Sequence, residues 1–235
     1  MSDTPLSKKT GNASVNAFLQ KVAGTHSVMA AKKRGRLLFA MDATASREPT
    51  WDHACQLQGE LFSATAELGG LEVQLCYYRG FKEFYHTAWL TDTNNLLSEM
   101  SAVRCLGGHT QILRCLRYAI DETRRAKINA LVFVGDCCEE NLDELCNAAG
   151  QLGVLGVPLF VFHEGWDPHA SHAFQQIAKL SQGAYCRFDH GSAQQLRDLL
   201  GAVAVYAAGG RKALEDFGKS RGGSILQLSH QLPKS

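Results

Sequence analysis

The chain has 235 residues, and its 24 Lys and Arg against 23 Asp and Glu leave a formal net charge of +1. That length suits one sizeable α/β domain, and so even a balance supplies no global field for nucleic acid or an anionic membrane surface. The opening residues lack a basic segment followed by an apolar core. No apolar run approaches the roughly 20 residues of a spanning helix, so a cytoplasmic protein with no membrane contact is expected. The eight cysteines are scattered without a C-x-x-C pair and fall mostly in apolar segments. This predicts reduced, buried thiols and not a disulfide framework or a structural zinc site.

Residues 1–13 are polar and rich in Ser, Thr and Lys, and read as a disordered lead-in. Val15, Phe18, Leu19 and Val22 recur at helical spacing, which predicts a short amphipathic helix and linker over 14–34. The main domain is expected over 35–208. Leu37 to Met41 is an uninterrupted apolar run, as a central parallel strand covered on both faces requires. It ends in Asp42-x-Thr44-x-Ser46, one carboxylate and two hydroxyls at alternate positions, where open α/β sheets bind ligands. Pro49 then leads a predicted helix from Trp51 to Leu68, ended by Gly69-Gly70.

Leu71 to Tyr78 and Phe81 to Leu90 read as two strands at hairpin distance, the second at a sheet edge. A short helix over 93–103 is capped by Thr91 or Asp92. The loop Gly107-Gly108-His109-Thr110 feeds a helix running to about Lys127. Ala130 to Val134 is a second short apolar strand, terminating in Gly135-Asp136. Further helices are expected over 139–152, 168–180 and 193–206, and strands over 157–162 and 184–188. The alternation predicts a three-layer, doubly wound, Rossmann-like α/β fold with a mostly parallel sheet and one antiparallel edge strand. Gly209-Gly210 opens a tail, 209–235, whose conformation the pattern leaves open.

Three features converge: Asp42-x-Thr44-x-Ser46 after the first strand, Thr110 in a Gly-Gly-x-Thr loop, and Asp136 after the next core strand. In order and spacing they resemble the metal-ion-dependent adhesion site of the von Willebrand factor type A (vWA) family, over roughly Gly35 to Tyr206. The resemblance implies that Thr44 and Ser46 touch a divalent cation through their hydroxyls. Thr110 would join them in the ligand-engaged state, and Asp42 and Asp136 would act mainly through water. Such an all-oxygen set suits magnesium or manganese, and the family's use of it implies a protein partner offering an Asp or Glu carboxylate. One departure is Cys137-Cys138, followed by Glu139 and Glu140, where many members place a glycine. Thiols beside a cation would be oxidation-sensitive if their pKa were lowered; buried, inert thiols are the plainer expectation.

The resulting functional expectation is an intracellular, non-enzymatic scaffold or adaptor module. The alternative is a magnesium-dependent phosphoryl-transfer hydrolase with Asp42 as nucleophile. That chemistry needs a second acid where Thr44 stands, and a lysine near the phosphate that the segment before Asp136 does not supply. His163 and Glu164, after the strand beside Asp136, are candidates to line the ligand face. Arg79 is a candidate cation at the rim, and His169 and His172 form a weaker metal-binding pair. Trp51, Tyr77 and Tyr78 read as packing residues.

Overall fold

The computed structural model describes residues 34–48, 70–188, 200–209 and 213. The helices expected over 14–34 and 51–68, and nearly all of the tail, lie outside them. The elements are β1 (Gly35–Asp42), a 3-10 turn (Ala45–Arg47), β2 (Leu71–Arg79), β3 (Glu83–His86), α1 (Thr93–Ser101), α2 (Ile112–Arg125), β4 (Ala130–Gly135), α3 (Leu142–Val154), β5 (Leu159–Glu164), α4 (Pro168–Leu180) and β6 (Ala184–Phe188). Residues 200–209 are helical. The strands form one sheet in the order β3-β2-β1-β4-β5-β6. Every pairing is parallel except β2 with β3, as the α/β reading predicts.

Why β1 sits at the centre follows from its composition. Leu37 to Met41 are all buried, because each face of this strand meets a separate core. Leu37, Phe39 and Met41 pack with Leu96 and Met100 of α1 and with Val203 and Tyr206. Leu38 and Ala40 pack with α2, α3 and α4 through Leu116, Leu145 and Phe174. The period-two alternation of a strand therefore places Asp42 on the same face as Leu38 and Ala40, facing inward at the strand's carboxyl end.

The strand expected over 157–162 is Leu159–Glu164, so His163 and Glu164 end the strand and do not follow it; two further boundaries differ from the pattern for local reasons. The second hairpin strand is shorter than Phe81 to Leu90. The hydroxyl of Thr87 takes the N–H of Leu75 at 3.2 Å, so a side chain replaces a backbone acceptor and the ladder thins to the bond from Thr87 N to the Leu75 carbonyl before Leu90 bridges Val73. The helix expected from Glu139 begins at Leu142. Asn141 caps it, accepting from the N–H groups of Asp143 and Glu144, which releases Glu139 and Glu140 into a loop.

Phe133 of β4 joins the cores to the site. Its ring stacks on Tyr78 at 6.4 Å between centroids and meets Phe174 edge-on at 5.6 Å, and a Cβ at Gly135 would lie 2.8 Å from its Cζ. Phe133→Ala is expected to cost about 3–5 kcal/mol, the usual range for emptying a buried aromatic site. Urea unfolding followed by circular dichroism checks this.

Candidate metal centre

Parallel strands deliver their carboxyl ends to one edge, and the sequence fills that edge with oxygen atoms. Asp42 is fully buried. Its Oδ1 accepts the N–H of Thr44 at 2.7 Å, and its Oδ2 accepts the hydroxyl of Tyr78 at 2.9 Å. Burial raises the Asp42 pKa above its ordinary 3.8; the bonds from Thr44 and Tyr78 oppose that rise, and the nearby Asp136 carboxylate adds to it. Thr44 and Ser46 share a hydrogen bond of 3.1 Å between their hydroxyls. Two of the three positions of the first motif are thus side by side, with the third directly beneath them in the chain.

Asp136 follows β4, whose Val134 pairs with Met41 of β1, so register alone brings Asp136 beside Asp42. Its Oδ1 is buried without a hydrogen-bond partner. A buried carboxylate oxygen without a partner calls for a donor or a cation. Thr110 is 7 % exposed and joins through the same loop: its hydroxyl accepts the N–H of Glu139 at 3.0 Å, and its own N–H donates to Glu139 Oε2 at 3.0 Å.

Three loops are stitched together beneath the centre. Leu106 N donates to the carbonyl of Ala43, and Gly80 N to the carbonyl of Leu106. A Cβ at Gly108 would fall 1.9 Å from the carbonyl oxygen of Gly80, so this backbone approach requires glycine. Arg79 lies at the rim, as read from the sequence, but is engaged in structure: its Nε donates to Glu83 and its Nη1 to the carbonyl of Arg104.

Several participants escape a sequence reading. Tyr78, read only as a packing residue, is fully buried and is the second hydrogen-bond donor to Asp42. Glu140 accepts from the N–H groups of Ile112 and Leu113, capping α2 from another loop; burial raises its pKa. Arg47 is 1 % exposed and ion-pairs with Glu164 across the sheet edge. Only their placement three-dimensionally identifies them, although the Asp42–Tyr78 register follows directly from pairing β1 with β2.

His163 and Glu164 do lie at this edge, in supporting positions. His163 is buried and its Nε2 donates to the carbonyl of Asp136 at 3.3 Å. Burial lowers its pKa, so the ring is neutral at pH 7, and its Nδ1 accepts from the Tyr185 hydroxyl at 2.9 Å. Cys138 is buried, whereas Cys137 is only partly so. Burial raises the pKa of Cys137, and that of Cys138 is pushed up to about 11, away from the thiolate that oxidation requires. His169 and His172 are exposed on α4. Among the described residues no group of three or more His, Cys, Asp or Glu is placed to hold a metal. The candidate set differs in kind, with two carboxylates and three hydroxyls, and its oxygen chemistry and the unpartnered Asp136 Oδ1 fit a hard divalent cation.

The class that this sheet defines is the vWA-type α/β fold. No protein-family model and no curated protein sequence matches the chain, but solved structures do. It is similar to the SpRpn10 VWA domain, with TM-score 0.56 and 11% identity over 67% of this chain and 89% of that one. It is also similar to proximal thread matrix protein 1 from the mussel byssus, with TM-score 0.57 and 13% identity over 77% of this chain and 47% of that one. A form of the byssus protein with a zinc-occupied MIDAS motif, the metal-ion-dependent adhesion site, matches with TM-score 0.54 and 11% identity over 75% and 47%. The chain thus spans most of the first neighbour and less than half of the byssus protein, and the likeness is one of fold.

The raised Asp42 pKa has a definite sign in stability. The native state holds this proton to higher pH than the unfolded chain, so the contribution is most favourable below the ordinary 3.8 and declines as pH rises through the raised value. Glu140, also raised, adds with the same sign. In EDTA, Asp42→Asn is expected to remove part of this decline and to raise the melting temperature at neutral pH. Thermal melts of both proteins from about pH 4 to about pH 7 measure it.

Proposed function

We propose that the chain is a metal-dependent protein-binding module whose site is formed by Asp42, Thr44, Ser46, Thr110 and Asp136, with magnesium or manganese as the cation. The observation that carries this reading is the buried, unpartnered Oδ1 of Asp136, at the same carboxyl edge of the sheet as the paired hydroxyls of Thr44 and Ser46. When bound, the cation supplies an electrophilic position for a carboxylate from the partner. Asp42 holds the Thr44 loop through the Thr44 N–H and is itself fixed by Tyr78. Thr110 is carried on the loop that Glu139 and Glu140 anchor, so engagement of a ligand by Thr110 would be felt at the start of α2.

The hydrolase alternative has less support. A nucleophilic carboxylate needs an accessible oxygen, whereas Asp42 is fully buried and both of its oxygens accept hydrogen bonds. Thr44 also occupies the position where that chemistry needs an acid. The non-enzymatic reading accords with this arrangement, and an adaptor role inside the cell is part of the same proposal. Among the described residues no helix is long and apolar enough to cross a membrane.

Manganese or magnesium at about 100 times its Kd should stabilise the wild-type protein by about 2.7 kcal/mol, seen as a rise in melting temperature that EDTA reverses. Asp136→Ala and the double variant Thr44→Ala/Ser46→Ala should lose most of that rise. An identical response in all three proteins would contradict the site.

A further inference from the structure

Arg47 is the largest fully buried side chain in the described residues, and it occurs one position beyond Ser46. Its backbone is fixed by the turn, since Arg47 N donates to the carbonyl of Thr44 at 3.0 Å. Its guanidinium pairs with Glu164. The strand order fixes what lies between them. Arg47 follows β1, Glu164 ends β5, and β4 runs between these strands, two spacings or roughly 10 Å across. To reach Glu164, the arginine side chain must extend past the carboxyl end of β4, where Asp136 stands. In keeping with that path, both Asp136 and Asp42 act electrostatically on the guanidinium.

The charges at this edge then have a simple relation. Asp42, Asp136 and Glu164 supply three carboxyl groups, and Arg47 supplies one permanent cation that cannot leave. A divalent ion at the Thr44 and Ser46 hydroxyls would sit beside the same carboxylates, in surroundings where buried like charges repel far more than they do in water.

We propose that Arg47 is a built-in counter-cation of the acidic centre and sets its metal affinity, competing with the divalent ion for Asp42 and Asp136, while Glu164 draws the guanidinium aside and so keeps the site open to metal. This rests on the metal-site reading above. Arg47 is a positioning and affinity-setting residue that does not ligate the metal. It gives the acidic cluster a stable metal-free state, and it restricts occupancy to conditions in which the free cation is plentiful.

Calorimetric titration of the full chain with manganese alone tests the proposal, because the two halves of the pair act with opposite sign. Arg47→Met/Glu164→Gln, which removes both charges together and leaves neither buried alone, should bind manganese about tenfold or more tighter than wild type. Glu164→Gln, which frees the guanidinium to lean on Asp42 and Asp136, should bind several-fold more weakly. Tighter binding by the double variant, including binding where wild type shows none, supports the competition. Equal or weaker binding by the double variant overturns it while leaving the metal site standing, and absence of binding in every protein overturns both. Should the double variant fail to fold by circular dichroism, Arg47→Gln/Glu164→Gln, which removes the same two charges and keeps polar partners in place, is judged by the same criterion: tighter binding supports the proposal, and equal or weaker binding overturns it.

Discussion

A carboxyl group buried at the end of the central strand is the constraint around which this edge of the protein is arranged. Desolvation penalises the charged form of Asp42, and the fold answers with directed donors. Thr44 N–H closes the turn onto one oxygen and Tyr78 crosses from β2 to the other. The first bond shapes the Asp-x-Thr-x-Ser loop, and the second ties that loop to a strand. Phe133, stacked on Tyr78, then couples the position of the phenol to the core beneath the helices. Loosening the core at Phe133 would therefore be felt at Asp42 through a single ring.

Much of this was legible from residue order. Apolar runs that end in oxygen-bearing residues mark parallel strands with a ligand edge, and the motif at Asp42, Thr44 and Ser46, then Thr110, then Asp136 relates three segments that are distant in sequence. The strand order confirms that β1 and β4 are neighbours, which is what sets Asp136 beside Asp42. What the sequence hid are contacts made across elements. Glu140 was visible only as an acidic residue following Cys137-Cys138, and not as the cap of α2. A helix cap is usually sought just before its own helix, and this one comes from a loop nearly thirty residues later. Arg47 was hidden for another reason: an arginine after a polar loop ordinarily reads as solvated, and only its burial shows otherwise.

The pair of thiols after Asp136 shows how burial and charge decide a role that composition leaves open. Cysteines next to a cation invite a redox reading. Cys138 is mostly shielded from solvent, and the acidic neighbours Glu139, Glu140, Asp136 and Asp167 all act to raise the pKa of one thiol or the other. Burial and these acidic surroundings together disfavour the thiolate. His163 completes this side by holding the carbonyl of Asp136 from below, in a neutral form that adds no charge to compete with a metal.

The account stands on a cation occupying the space between Thr44, Ser46 and Asp136. The most direct measurement is the anomalous difference map of crystals of the full chain grown with manganese. The account predicts a manganese peak in contact with the Thr44 and Ser46 hydroxyls, with Asp42 and Asp136 around it. A map with no peak at that edge, or with manganese only at other positions such as His169 and His172, would contradict it.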